Sequence, residues 1–359
     1  MMPQQMTLEK LQADLDKISR RRRSMPPPQV LIETPDTHFE YGGQHTPFHA
    51  ASVGKVMTAV VIAALVEQDR FEFNTPIGQL LPASDIEGLP TADGVTASTD
   101  VTVHHLLSHT SGFPDFFEPP RGMKTATSAK TAFTDPDRRW TPTDLLNEVR
   151  KLRALGRPGE TFHYGDTGYV LLGRIAEETT DTVFDELVRQ YVFEPSGMMQ
   201  SSIPFSTART PADLQGLDIT PFWINGTELS RALAMSLDWA GGGIVATPAD
   251  FVRFQRALHQ GKLVSPQYVD FMARPRNRLR PGIYYGSGMV TLRFHEFLPS
   301  FLPFLRGLPE PVGGIGFLAT HMFYYPEQDA HVILNFHTNR ALSTSARVHI
   351  RIAQLLASE

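Results

Sequence analysis

The chain has 359 residues, 41% of them hydrophobic and 20% charged, and a formal net charge of -5. That composition supports a substantial core, is too apolar for a disordered chain, and is too acidic for a broad nucleic-acid-binding surface. Cysteine is absent, which excludes disulfides, thiolate metal ligands and a cysteine nucleophile.

The opening MMPQQMTLEKLQADLDKISRRRR reads as an amphipathic helix. It lacks the basic start, apolar centre and small-residue cleavage site of a secretory signal, so the expectation is a cytoplasmic protein. The run Arg20 to Arg23 is read as a solvated helix end favoured by the helix dipole rather than a membrane or nucleic-acid patch. Gln29 to Glu33 and Thr37 to Tyr41, separated by Pro35 and Asp36, predict a hairpin. PFHAASVGKVMTAVVIAALVEQ, from Pro47, predicts a helix over about Ser52 to Glu67. Its uncharged run, Val56 to Val66, is about half of the roughly 20 residues that a membrane span needs, and no span is predicted elsewhere.

From about Phe73 to Trp239, helical spacing recurs at Val103 to Leu107, Pro142 to Leu155, Tyr169 to Thr179 and Phe184 to Tyr191, among glycine- and proline-rich loops. Strand patterns return at Ile283 to Thr291, around Leu318 to Tyr325, and at His331 to Phe336, before a closing helix over Thr344 to Ala357. FLPSFLPFL, Phe297 to Leu305, reads as an apolar loop or pocket wall. Strands at both ends with helices between them predict an α/β protein. Residues 1–72 and 240–359 would form a discontinuous α/β domain, 73–239 a mostly helical insertion, and the active site would lie in the cleft between them.

Ser52 and Lys55 stand at i and i+3, on one helix face. A serine hydroxyl is a weak nucleophile until a base takes its proton, and a desolvated lysine can have its pKa lowered enough to serve. The structural alternative makes Ser52 a helix cap and lets Lys55 reach water. This is the only S-x-x-K in the chain, and no G-x-S-x-G elbow competes. His105 and His109 have a zinc-compatible i, i+4 spacing with His104 beside them, but the glutamate of H-E-x-x-H and a further ligand set are missing. No metal or other cofactor is expected. His49, His163 and His321 are read as ordinary neighbours of the motifs.

Four more segments accompany the S-x-x-K: LLSHTSGFPDF from Leu106, RPGETFHYGDTGYVLLGRIAEETTD from Arg157, FEPSGMMQSS from Phe193 and AGGGIVATPADFVRFQRAL from Ala240. Together, from about Phe48 to Asn339, the chain resembles the serine β-lactamase and penicillin-binding-protein superfamily, in particular its class C branch with the family VIII carboxylesterases and D-aminopeptidases. The resemblance implies a β-lactamase/transpeptidase-like fold, with an antiparallel sheet, flanking terminal helices and a mostly helical inserted domain. It also implies that Ser52 is the acylated nucleophile, Lys55 its partner and Tyr164 the tyrosine of the Y-x-N element.

Two departures bear on substrate. Asp166 replaces the usual asparagine and would favour a charged Lys55. In the third family element, normally K-T-G, H-x-G or W-x-G, Val312, Gly313 and Gly314 fill the slot without a cation. The K-T-A triplets at Lys124 and Lys130 fall in the insertion and are decoys. The resemblance supplies an oxyanion site from two N–H groups, here those of Ser52 and Ile315, and glycines would permit the close backbone approach. An ordinary glycine-rich turn is the alternative.

The implied activity is hydrolysis of small esters through an acyl-enzyme, on a small-molecule ester or amide and without nucleic acid. Alternatives are a D-aminopeptidase or amidase in which Asp166 binds a substrate ammonium, a β-lactamase-like hydrolase, an acyltransferase, and a noncatalytic binding relative.

Overall fold

A computed structural model describes residues 6–297, 305 and 307–357. The early hairpin forms β1 (Gln29–Glu33) and β2 (His38–Tyr41). Two short ribbons follow, β3 (Phe48–His49) with β6 (Val245–Ala246) and β4 (Trp223–Ile224) with β5 (Thr227–Glu228). The late strands are β7 (Asn277–Arg280), β8 (Ile283–Tyr285), β9 (Val290–Leu292), β10 (Val312–Gly316), β11 (Thr320–Tyr325) and β12 (Ala330–Asn335). They join the hairpin in an eight-stranded antiparallel sheet of order β2-β1-β12-β11-β10-β9-β8-β7.

Side chains alternate across this sheet, and both faces are covered. Val30, Ile32, Val332 and Leu334 pack with Leu11, Leu15, Val348 and Ile352 from the terminal helices Leu8–Arg21 and Leu342–Leu356. Leu31, Met322 and Ile333 point the other way, toward the central helix Gly54–Glu67. That helix is buried on every side from Gly54 to Leu65, as an apolar run without an amphipathic face requires. Each fully buried Val, Leu or Ile there stabilises the fold by roughly 1.5–3 kcal/mol.

A second helix, Thr167–Thr180, packs into the same core. Among the described residues no helix is long and apolar enough to cross a membrane.

Some boundaries differ from expectation. A 3-10 turn, Ala51–Val53, precedes the central helix, so Ser52 lies before the first α-turn. The helix predicted to run from Pro142 to Leu155 ends at Val149, and the Leu155 N–H turns back to Gly112 O. The helix from Phe184 passes into a π-turn, Arg189–Phe193, just before Pro195. The strand expected over Ile283 to Thr291 is two strands, broken where Gly288 takes φ +117°. β7 was not anticipated. Of FLPSFLPFL, only Phe297 and Leu305 lie within the described residues.

Candidate active site

The turn carrying Ser52 is held from three sides. Ala50 N–H donates to Ile244 O at 2.8 Å, Thr320 Oγ1 donates to Ala50 O at 2.9 Å, and Ala51 N–H donates to His49 Nδ1 at 3.0 Å. These bonds over-determine Ala51, whose φ of +49° is a left-handed value that costs a non-glycine residue about 1–3 kcal/mol. His49 is fully buried against Phe205 and Phe222. Burial pushes its imidazole down to about 3, so Nδ1 stays a lone-pair acceptor.

Ser52 is half-buried, and its Oγ accepts from Lys55 Nζ at 3.1 Å. Lys55 is 1% exposed and also donates to Gly241 O at 2.8 Å and to Asp166 Oδ1. Its Nζ lies 5.3 Å and 5.4 Å from the ring centroids of Tyr164 and Tyr169. Gly241 reaches the lysine because Gly242 lies flat on the Ser52 turn; a Cβ at Gly242 would stand 2.5 Å from Ala51 O.

Two opposed effects expected from the sequence, desolvation and the Asp166 carboxylate, meet at Lys55. Burial alone pushes the Lys55 ammonium down, but the charge of Asp166, the Tyr164 phenol and the hydrogen bond to Asp166 outweigh it, and the net shift is upward. Lys55 is therefore held charged rather than tuned down.

Tyr164 and Asp166 sit on a loop fastened to the LLSHTSGFPDF segment. Gly165 N–H donates to His109 Nδ1 at 3.3 Å, Asp166 N–H to Asp115 Oδ1 at 2.7 Å, and His163 N–H to His109 O at 2.9 Å. The His109 ring also packs against Tyr164, with centroids 4.4 Å apart. Burial pushes the Tyr164 phenol up; the Lys55 charge and hydrogen bonding with Ser52 pull it down, leaving it above its ordinary value of 10.0.

A cavity of about 520 Å³ opens over these groups, with Ser52, Tyr164 and Asp166 in its lining. Phe117, Phe133, Phe162, Met235 and Phe317 give it a mainly apolar wall. Gly314 and Ile315 line it, whereas Gly313 does not: a Cβ there would meet Met322 O at 1.9 Å, so its close approach is to β11. β9 pairs only with Val312 and Gly313, leaving Gly314 to Gly316 to run past the Ser52 turn. A Cβ at Gly316 would stand 2.8 Å from Ala50 O.

Sequence reasoning missed Asp115, Asp238, Arg278 and Arg280, all in the cavity lining. Asp115 was signalled by FPD beside the histidine turn; Asp238 directly precedes the WAGGG stretch. Burial and the charge of Asp166 push both carboxyls up to about 7. The arginines bring cations to the cavity from β7, although the third-element slot has none; both are exposed.

The histidines separate. His105 Nδ1 accepts from Thr102 N–H in a capping box, His109 serves the tyrosine loop, and among the described residues no group of three His, Asp or Glu could hold a metal ion. His163 lines the cavity, while His321 lies in a buried network with Ser345 and His349. The triplets at Lys124 and Lys130 are not in the cavity lining.

The family model described as Beta-lactamase matches residues 34–358. The chain is 30% identical over 229 residues to "Penicillin-binding protein 4" of Amycolatopsis lactamdurans, covering 61% of this chain and 52% of that protein. It is 27% identical over 259 residues to "Penicillin-binding protein 4*" of Bacillus subtilis, covering 68% and 52%. The chain thus spans about half the length of these curated relatives.

Among solved structures, the D-amino acid amidase from Ochrobactrum anthropi SV3 superposes with a TM-score of 0.74 at 20% identity, covering 97% of this chain and 100% of that one. "EstCE1, a hydrolase with promiscuous acyltransferase activity" gives 0.71 at 18% identity, covering 97% and 99%. These likenesses establish a shared fold.

Proposed function

The chain belongs to the beta-lactamase family, and we propose that it is a serine hydrolase acting through an acyl-enzyme on Ser52, with small esters as its best substrates. The observation that carries this reading is the 3.1 Å contact of Ser52 Oγ with a buried Lys55 beneath the Tyr164 ring, at the base of an apolar cavity.

In this mechanism Ser52 Oγ attacks the ester carbonyl carbon. Its proton passes to the Lys55–Tyr164 pair after that pair has lost one proton. Neutral lysine with phenol and ammonium with phenolate are two arrangements of the same deprotonated pair, so the pair titrates as a unit. The tetrahedral oxyanion is held by the N–H groups of Ser52 and Ile315. Collapse breaks the bond to the alcohol, which takes the stored proton; water then attacks the acyl-enzyme through the same pair and releases the acid.

Preference for esters over β-lactams rests on the third element. By the resemblance, Val312 at the start of β10 stands where the family has a cation that would meet a substrate carboxylate, and Val312 is not among the residues lining the cavity. Arg278 and Arg280 are exposed, Arg278 faces Glu296 at 3.7 Å, and solvated ion pairs of this kind contribute little. A second reading, hydrolysis of amine-bearing amides, is favoured by the carboxyls that line the cavity.

A fluorophosphonate probe followed by intact mass measurement tests the core of the proposal. One adduct is expected on the wild type and none on Ser52→Ala, whose kcat on p-nitrophenyl butyrate should fall by at least about a thousandfold. A protein that never labels, or labels elsewhere, is a binding relative or uses other chemistry. Efficient turnover of a cephalosporin relative to the aryl ester would overturn the substrate preference.

A further inference from the structure

Many of the arginines stand against carboxylates: Arg351 meets Asp14, Arg256 meets Glu33, Arg253 meets Asp250, and Arg174 meets Asp85 and Glu177. One run departs from this. Arg20, Arg21, Arg22 and Arg23 follow one another where the first helix ends, Lys17 stands one turn before them, and among the described residues none of the five forms an ion pair. Asp16, the carboxylate next to Lys17, accepts from Tyr41 O–H at 3.1 Å and from Gln12 Nε2–H. Lys17, Arg20, Arg21 and Arg23 are exposed, as a solvated helix end would be, but Arg22 is half-buried, and among the described residues its guanidinium donates no hydrogen bond. A partly desolvated cation without a counterion is costly, and in a chain of net charge -5 the cluster is a local feature.

The topology puts this run at the catalytic end of the sheet. The chain passes from Arg23 to Pro27, whose carbonyl accepts from His337 Nε2–H at 2.9 Å, and then to Gln29, which opens β1 opposite Asn335. Asn335 lies opposite Thr320, whose Oγ1 donates to Ala50 O in the Ser52 turn. Gln29 and Thr320 are thus two strand spacings apart, roughly 10 Å. At the same end β12 leads to the closing helix, whose first residue, Leu342, is 37% exposed and lines the mainly apolar cavity. From the opposite edge of the sheet, β7 brings the exposed Arg278 and Arg280 to the cavity lining.

We propose that this end of the molecule docks on an anionic phospholipid membrane, with the arginine run on the headgroups and the cavity mouth turned toward the bilayer. A lipid surface accepts several guanidinium groups at once without a shaped pocket, and each basic residue close to it favours binding by about fivefold. Leu342 favours lipid over nucleic acid, the other polyanion, because a phosphate backbone offers it no apolar phase. Docked this way, the cavity opens on the phase in which apolar esters concentrate. The docking itself does not depend on the chemistry at Ser52.

Co-sedimentation of the full chain with vesicles tests the proposal. The protein should bind vesicles of phosphatidylserine mixed with phosphatidylcholine and not those of phosphatidylcholine alone, and should be released at about 1 M salt, where charges are screened beyond about 3 Å. Arg20→Gln, Arg21→Gln and Arg23→Gln together should weaken binding by about a hundredfold, whereas lysine at the same three positions should keep most of it. The three side chains are exposed, so both variants should melt as the wild type does. Leu342→Ser should weaken binding by about threefold or more, through loss of apolar contact with the lipid. A wild type that ignores the mixed vesicles overturns the proposal, as does a glutamine variant that binds them equally well. Unchanged binding by Leu342→Ser overturns the orientation with the cavity mouth at the bilayer. Tighter binding to polyuridylate than to the mixed vesicles would assign the run to a nucleic acid instead. Labelling at Ser52 is unaffected by any of these results, so the serine-hydrolase reading stands or falls separately.

Discussion

Lys55 is enclosed by Ser52 Oγ, Gly241 O, the Asp166 carboxylate and two tyrosine rings. Two opposed effects act on its proton: burial favours the neutral amine, and Asp166 together with Tyr164 and Asp238 favours the ammonium and outweighs it. Asp166→Asn removes the largest of the raising influences and leaves burial in place, so the lysine pKa must fall. The deprotonated Lys55–Tyr164 pair then becomes available at lower pH, and the basic-side rise of kcat/KM on a neutral aryl ester should move down. One pKa unit corresponds to about 1.4 kcal/mol, so even a screened pair gives a measurable displacement. An unmoved profile would show that proton transfer does not draw on Lys55. The same substitution should also bring Asp115 and Asp238 back toward ordinary carboxylate values, because Asp166 helps to raise both.

At the scale of elements, the site depends on how closely β10 runs beside the Ser52 turn. Gly316 sets that approach: a Cβ there would lie 2.8 Å from Ala50 O, 3.1 Å from Ala51 Cβ and 2.1 Å from Thr320 Oγ1. Thr320 Oγ1 is itself bonded to Ala50 O, so neither neighbour can yield independently. Gly316→Ala should destabilise the protein by about 1–3 kcal/mol, as overpacking does. It should also lower kcat more than that loss accounts for at temperatures where the variant is folded, because the strand must move away from Ser52. Gly216→Ala is the control, since no atom lies within 4 Å of a Cβ there. Equal behaviour of the two variants in melting temperature and kcat would mean that β10 accommodates the methyl group.

The elements differ in how well their sequences reveal them. The central helix and the β1–β2 hairpin were readable because apolar runs and turn residues act locally. β7 was not: Asn277 to Arg280 is an edge strand with alternating exposure and two arginines, without the apolar pattern of a buried strand. Ser52 and Lys55 were identified by spacing, and Tyr164 and Asp166 by resemblance. Asp238 could not be found that way, because the cavity it lines is assembled only by folding. The direction of the Lys55 shift was legible through Asp166, which the resemblance sets beside the lysine, although burial alone implies the opposite sign.

The whole molecule carries a pH dependence that no single site explains. Of its 13 histidines, many are buried as neutral rings. Burial lowers His49 and His321 to about 3, His104, His259, His331 and His337 to about 4, and His109 and His349 well below their ordinary value. His321 and His349 belong to a directional chain beneath the sheet. Ser345 Oγ donates to Leu342 O, so His321 Nε2–H donates to Ser345 Oγ at 2.9 Å. His321 Nδ1 then accepts from His349 Nδ1–H at 3.0 Å, and His349 Nε2 accepts from Tyr325 O–H at 2.9 Å. Protonating either ring replaces an acceptor with a donor and breaks the chain.

A group whose folded pKa is depressed stabilises the fold above its unfolded pKa, and that stability is lost as pH falls toward the folded value. For these histidines the loss begins near the unfolded value of about 6.5 and continues to about 4 or below. Asp115 and Asp238, raised to about 7, and Asp185, raised to about 6, act in the opposite sense, because the folded state keeps protons that the unfolded chain has released. Burial also lowers His105 and His163, so three carboxyls oppose ten imidazoles and the histidines decide the sign. The melting temperature should therefore fall steadily between about pH 6.5 and 4, each fully depressed histidine adding a slope of roughly 1 kcal/mol per pH unit. His349→Gln should make that slope shallower, while a profile that stays flat or rises toward pH 4 would show that the rings are not held neutral. The slope, rather than the melting temperature at any one pH, is the informative quantity, because losing the bonds to His321 and Tyr325 lowers stability at every pH whereas only loss of a titrating ring changes the slope.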